Sequence, residues 1–505
     1  MISRSETRFY SDLSPRFDDT FLSLKAIARQ PAAMVRETRK VVALARKFNA
    51  EVVRPSALPL DIHMQKDPTH LPWDFVRTAN EWGFYSLWIP KLFGGKGYNL
   101  LSIAPFLEEI ASECLGMANL IGVHYLGFGV AVSSWNTGLI NRLCRDTIDG
   151  EKTGKPCLIS LALTEPGAGT DVEETDLMDK GRVTCHAKKV EGGYVVSGTK
   201  VFISNGHLSH WHMLIAYENL EKPSAGTVML AVETGTPGFS FGRMEKKMGQ
   251  KGCPASELRF DNCFIPDANI MINTDQARSL KRTPSETNMQ IIDCYFAASR
   301  AAVGAFGIGA ARGAFNVARD YAAETTVGGE RLIDREWVQS MLAEMYKNVV
   351  VGRLAYNDAN YATAMHGMFK MIQQKQLFYI TKFTPKMIFD KVVQPLLDKP
   401  WLVRLIRKFN FDMQSDREIA LTSGLASLAK FAGTDAGIKN CHMALELMGH
   451  AGLRHDMRAE KCLRDAKLLQ IYEGTNQLNR LNLFKCLIAN EASKARVFEE
   501  HGADA

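Results

Sequence analysis

Apolar residues recur every three or four positions through Met34–Ala50, Leu71–Trp82 and Leu101–Cys114, and Gly/Pro breaks such as Pro90–Gly97 separate them. That is the spacing of amphipathic helices between turns. Near Pro156 the period changes. Short β-rich runs follow at Leu158–Leu163, Tyr194–Val196, Val201–Ser204, Met213–Tyr217, Val228–Glu233 and Glu257–Phe260, and Glu191-Gly192-Gly193 between strands reads as a hairpin. From about residue 285 the helical period returns and runs to the end, and no internal repeat is visible. Helices, then strands, then helices predict segregated layers, an α+β multidomain chain, rather than alternating β–α units. The expected boundaries are an N-terminal all-α domain over 1–157 (1–40 being an extension), a central β-barrel or sandwich domain over 158–275, and a helical domain over 276–505.

Composition narrows the class. A chain of 505 residues, 46% hydrophobic and 23% charged, predicts two or three packed units. The net charge of +6 suits anionic small molecules or an acidic partner surface. No basic run interleaved with aromatics marks a nucleic-acid groove, so no nucleic-acid partner is expected. Ten scattered cysteines without a C-x-x-C pair speak against a zinc cage or a disulfide framework and for a reducing compartment. The N-terminus lacks the apolar core of a signal peptide. No stretch is read as approaching the ~18–20 uncharged apolar residues of a membrane span. The expected location is cytoplasmic.

Three segments carry candidate chemistry. Leu161-Ala-Leu-Thr-Glu-Pro-Gly-Ala-Gly-Thr-Asp171 ends a strand in a glycine loop, where backbone N–H groups can approach an anion or a flat ring. No Lys follows the glycines and no helix is expected after them, so the loop is neither a P-loop nor a dinucleotide fingerprint. On residues alone a tight surface turn is the favoured reading. The second segment is Gly198-Thr-Lys-Val-Phe-Ile-Ser-Asn-Gly206. The third is Gln470-Ile-Tyr-Glu-Gly-Thr-Asn-Gln-Leu-Asn-Arg480, after Arg464-Asp465-Ala466-Lys467. Its Glu473 breaks a helix and, taken alone, is also readable as a solvated loop acid. His207, His210 and His212 lie close in sequence, but no Cys or acidic ligand accompanies them and no metal is expected.

In this order and spacing the three segments resemble the acyl-CoA dehydrogenase family. Thr164–Asp171 and Ile471-Tyr-Glu-Gly-Thr475 look like its two signature motifs. Weaker similar stretches are Pro90–Gly95, Met248–Gly252, Glu257–Asp261 and Arg300, read as opening a Gly/Ala-rich helix to Ala322. The resemblance spans roughly 40–490 and implies a C-terminal four-helix bundle with FAD between it and the β domain. It places Leu163, Thr164, Gly169, Thr170, Phe202, Ser204, Thr475 and Gln477 on the cofactor, and Thr170, Arg300 and Gly474 on the substrate. It makes Glu473 the base that takes the α-proton of an acyl thioester, with Arg300 fixing its carboxylate. In some relatives the base precedes the arginine, but here that residue is Ser299, so Glu473 remains the family-consistent carboxylate, and its placement implies mainly straight-chain acyl groups. Electrons would pass to an electron-transfer flavoprotein, and a homodimer or homotetramer is implied.

Two departures stand out. Thr325 occupies the position of an arginine that in many relatives reaches the FAD pyrophosphate of a neighbouring subunit; Arg331 is a candidate substitute, and Glu446 stands where a Gln often meets the diphosphate. An insertion over about 364–414 interrupts the bundle, and its 377–409 stretch mixes aromatics with Lys and Arg, cut by Pro385, Pro395 and Pro400 into short helices. Such a segment can lie on a membrane as a peripheral contact, cover its own domain or meet a subunit. Rival readings are a non-catalytic scaffold relative, and an acyl-CoA oxidase or flavin monooxygenase on the same fold.

Overall fold

In the computed structural model the described residues are 2–11, 32–277, 282–367, 383–397, 399–412 and 414–489, with 379, 495, 497 and 498. Of the features read from sequence, residues 1 and 12–31 of the extension and 368–378, 380–382, 398 and 413 of the insertion lie outside them.

After a short helix α1 (Arg4–Ser11), the N-terminal region is built from α2 (Ala32–Phe48), α3 (Arg54–Lys66), α4 (Trp73–Glu81), α5 (Ile103–Ala111), α6 (Leu115–Ser133) and α7 (Thr137–Thr153). Asn136 caps α7 by accepting from Leu139 N, and Gly154, at φ +70°, ends it. One reading is corrected here. Helix α6 runs nineteen residues without a charged side chain, long and apolar enough to cross a membrane by composition. It is apolar all round because it lies in the interior between neighbouring elements, with most of its length buried. On α5, Glu108 and Glu109 face inward and are paired: Glu108 with Arg353, Arg312 and the Tyr356 hydroxyl, Glu109 with Arg46 and Arg312.

The central domain is an eight-stranded mixed sheet: β1 (Leu158–Ala162), β2 (His186–Val190), β3 (Gly193–Ser204), β4 (Ser209–Tyr217), β5 (Thr227–Glu233), β6 (Phe239–Met244), β7 (Ala255–Pro266) and β8 (Ile270–Ile272). The order is β6-β7-β3-β2-β4-β5-β8, with β1 parallel to β4. Alternation along β4 serves two cores: Trp211, Met213 and Ile215 pack with α6, α7 and β1, whereas Leu214 and Ala216 join Tyr194, Val196, Leu230 and Leu258 inside the folded sheet. The hairpin at Glu191-Gly192 joins β2 to β3 with Val190 opposite Gly193. Tyr194–Val196 and Val201–Ser204, expected as separate strands, are one strand carrying register breaks against β7.

The long C-terminal helices are α8 (Pro284–Glu324), α9 (Glu336–His366) and α11 (Asp416–Met448), with α10 (Pro400–Asp412) in the insertion and α12 (Ala459–Leu469) and α13 (Asn476–Leu483) completing the bundle. Arg300 does not open its helix; α8 starts at Pro284, sealed by a Thr283–Glu286 capping box that the sequence reading overlooked. Helices α8 and α11 approach so closely that a Cβ on Gly307 would lie 2.4 Å from the Gly433 backbone. The C-terminal region is not wholly helical: β9 (Thr326–Val327) and β10 (Glu330–Arg331) form a small hairpin after α8. In the insertion Pro395 does not cut the chain. It follows a π-type turn at Phe389–Val393 and sits within Gln394–Leu397, where the widened turn accommodates its missing donor.

Candidate functional site

The first two motif segments are clamped together. Lys200, from β3, is fully buried; its Nζ donates to Glu165 at 2.7 Å and to the Leu163 carbonyl at 2.8 Å. The Glu165 carboxylate also accepts from Cys185 N and the Thr184 hydroxyl, and Val201 N donates to the Thr164 carbonyl. One helical turn, Thr170–Glu173, follows Gly169, where no helix was expected; Thr170 is its first residue. At a register break in β3, Phe202 is held at φ +59° and is 59% exposed. A bulky aromatic in the left-handed region costs about 1–2 kcal/mol, and such strain gathers where a site needs it. An exposed, strained ring offers a platform for a flat aromatic cofactor, and the site fits a flavin in this respect. Ser204, two residues on, is partly buried.

The third segment forms the loop between α12 and α13. Glu473 and Gly474 take consecutive left-handed conformations, at φ +57° and +75°. The loop is held from several sides. Buried Lys430, on α11, donates to the Gly474 carbonyl at 2.6 Å and to Asn476 Oδ1 at 2.8 Å. Asn479 Nδ2 donates to the Gly474 carbonyl at 2.9 Å, and the Thr475 hydroxyl caps α13. Gln477 is exposed on the first turn of α13. The β domain reaches the same region through Met248–Gly252: a Cβ on Gly249 would lie 2.2 Å from the Arg464 carbonyl, and the Tyr472 hydroxyl meets Gln250.

Around Glu473 the structure gathers charged groups from three elements. Ser299, on α8, donates its hydroxyl to Glu473 Oε2 at 2.5 Å. Arg300 is buried. Its bonds correct one expectation: Nε donates to the Glu473 backbone carbonyl and Nη2 to that of Glu173, both at 3.2 Å, so it ties two loops rather than gripping the carboxylate. The Glu173 carboxylate lies near enough to Glu473 and to the Gly474 N–H to feel both. Burial raises the Glu473 pKa, opposed by the Ser299 bond and the Arg300 and Lys430 charges. Glu173 is pushed up to about 7 by burial and by the Glu473 charge. Lys430 is pushed down to about 7 by burial and by Arg300. Glu173 and Glu473 are each half-buried as whole residues.

Sequence reasoning did not assign Glu173, Lys430 or the Ser299 contact. Glu173 lies one turn after Thr170, an acid inside a motif turn. Lys430 is a lone cation on a face of Gly, Ala and Ser residues. Beside the site, Val130, Leu161, Leu163, Ile215, Ile292 and Phe296 line an apolar cavity with Tyr295. The Tyr295 hydroxyl is buried with no partner among the described residues, and it feels the Glu473 and Glu173 charges. Arg331 is engaged with Asp334 through two bonds of 2.8 and 2.9 Å, and Glu446 is exposed. The three histidines have separate partners: His207 meets Ser256, His210 meets Glu233, and His212 meets Ser160 and Thr234. Elsewhere His63, Asp67 and His70 come within ligand distance of one another on the surface.

Comparison with known proteins gives three family-model matches. The models are described as acyl-CoA dehydrogenase N-terminal domain (residues 36–137), middle domain (160–263) and C-terminal domain (289–383 and 405–488). The last match is interrupted within the expected insertion. A curated relative, cyclohex-1-ene-1-carbonyl-CoA dehydrogenase of Syntrophus aciditrophicus, is 26% identical over 89% of each chain. Among solved structures, butyryl-CoA dehydrogenase from Megasphaera elsdenii aligns with a TM-score of 0.67 at 21% identity, covering 89% of this chain and 98% of its own. A chain from work described as "Electron transferring flavoprotein of Acidaminococcus fermentans: Towards a mechanism of flavin-based electron bifurcation" aligns with a TM-score of 0.66 at 22% identity, covering 90% and 98%.

Proposed function

Because the chain belongs to the acyl-CoA dehydrogenase family and is an oxidoreductase acting on acyl-CoA, we propose that it forms an α,β-unsaturated acyl-CoA with Glu473 as the α-proton base. The observation that carries this reading is the Glu473–Gly474 turn: a strained, partly exposed acid whose backbone is held by Arg300, Lys430 and Asn479. A weakly acidic α-proton needs a base aimed before substrate arrives, since reorganising it during reaction adds to the barrier. Burial strengthens that base. The Ser299 hydroxyl fixes one carboxylate oxygen and leaves the other to take the proton. The Glu473 backbone N–H and a cofactor hydroxyl would hold the thioester oxygen as negative charge develops on it.

FAD is the cofactor in this reading; when bound it accepts the hydride that leaves Cβ. Phe202 would cover its ring face, with Leu163, Thr164 and Ser204 along the ring, and Gly169, Thr170, Thr475 and Gln477 as further contacts. An electron-transfer flavoprotein is the proposed acceptor, supported by the solved chain from work on that protein. We also propose a homo-oligomer. Trp337, Val351 and Leu354 lie half exposed on α9, flanked by charges of both signs such as Glu344 and Lys347, a face suited to a second copy. Light scattering should show a smaller particle for Val351→Lys/Leu354→Lys; an unchanged mass would reject this face.

The central test is spectral. Purified protein should be yellow, bleach when an acyl-CoA is added without air, and recolour slowly in air. A colourless protein that takes up no FAD would reject catalysis, and rapid recolouring in air would replace the dehydrogenase by an oxidase.

A further inference from the structure

The inserted segment has two unlike faces. Its inner face is anchored on the N-terminal helices and the sheet. Phe389 is 2% exposed, its ring 4.8 Å from that of Phe93. Arg407 is buried and donates to the Ser134 and Met271 carbonyls at 2.6 and 2.8 Å. Its outer face is apolar and exposed: Phe383 68%, Met387 64%, Val392 64%, Leu396 49%, Trp401 56% and Leu405 52%. Lys391, Lys399, Arg404 and Lys408 stand exposed among these side chains. Asp390, which lies between Lys386 and Lys391, is paired with Lys386. Much of the face, from 384 to 404, falls in the stretch that the C-terminal family model skips.

We propose that this face docks the enzyme on a membrane surface carrying anionic headgroups. Trp and aliphatic side chains gain by entering the headgroup–acyl boundary, while surrounding Lys and Arg meet lipid phosphates. Charge selects this occupant over a second copy. A two-fold contact would set the same basic rim against itself, a like-charge arrangement that the mixed charges of α9 avoid. The anchoring by Phe389 and Arg407 means that the face is presented on a fixed platform, so docking needs no refolding of the body.

The test uses the intact protein and flotation with two vesicle types, phosphatidylcholine alone and phosphatidylcholine mixed with phosphatidylglycerol. The wild type should float with the mixed vesicles and not with the neutral ones, and should be released by high salt. Each basic residue beside an anionic surface is worth about fivefold in binding. Lys391→Gln/Lys399→Gln/Arg404→Gln should therefore bind about a hundredfold more weakly, with an unchanged thermal midpoint. Trp401 emission should shift to the blue on adding mixed vesicles, and the shift should vanish in Trp401→Phe. Absent flotation of the wild type, or binding unmoved by the triple substitution, overturns the proposal. So does a triple variant whose particle mass changes in light scattering, which would mark the face as a contact between copies.

Discussion

Glu473 does not stand alone: Ser299 holds one oxygen, and Glu173 lies near enough to feel its charge. Glu473→Gln should lower turnover ~10²–10⁴-fold, about 3–5 kcal/mol of barrier, while the flavin absorbance stays. Near-normal turnover would sink the assignment. Glu173 yields a second prediction through its charge. Burial and the Glu473 charge push Glu173 up to about 7, so Glu473→Gln should let Glu173 ionise at lower pH, read as a shifted carboxyl titration by NMR. An unmoved titration would show that the two carboxylates do not feel each other. Glu473 was legible in sequence because it sits in a long motif. Glu173 and Lys430 were not, since their importance comes from contacts across elements that are distant along the chain.

The loop carrying Thr164 is held to strand β3 by one buried ion pair, Lys200 with Glu165. Lys200→Met leaves an unpaired buried carboxylate and should cost about 3–5 kcal/mol of stability, measured by urea unfolding. Lys200→Met/Glu165→Gln should recover part of that loss; a single variant as stable as the wild type would show the pair to be idle. Element reading from sequence succeeded where an apolar, β-rich run was unbroken, as in β4 and β5. It overlooked β2 (His-Ala-Lys-Lys-Val), whose charged residues face solvent, and β6, whose Phe-Ser-Phe-Gly-Arg-Met is short. It also divided β3, because Gly198-Thr-Lys interrupts the apolar run while pairing with β7 carries the strand through.

Across the molecule, Glu108 and Glu109 join α5 to α2, α8 and α9, tying the N-terminal helices to the bundle. Burial alone would raise Glu109, but Arg312 and Arg46 hold it down at about 2, against an ordinary 4.5. A carboxyl depressed on folding stabilises fully above its unfolded pKa and loses that contribution as pH falls through its folded value. Glu109→Gln should thus lower the unfolding midpoint at pH 7, and the gap to the wild type should narrow as pH drops below about 4.5 towards 2. A gap constant across that window would rule out the charge as its source. The sequence by itself determined the layer order, the family and the acid proposed as base, because periodicity is local and the motifs are contiguous. Tertiary structure alone decided which acids share the base's surroundings, which cations hold its turn, and which face of the insertion looks outward. Those are relations between residues up to 273 positions apart along the chain, such as Arg407 on the Ser134 carbonyl and Arg300 on the Glu473 carbonyl, and only packing brings them within bonding distance.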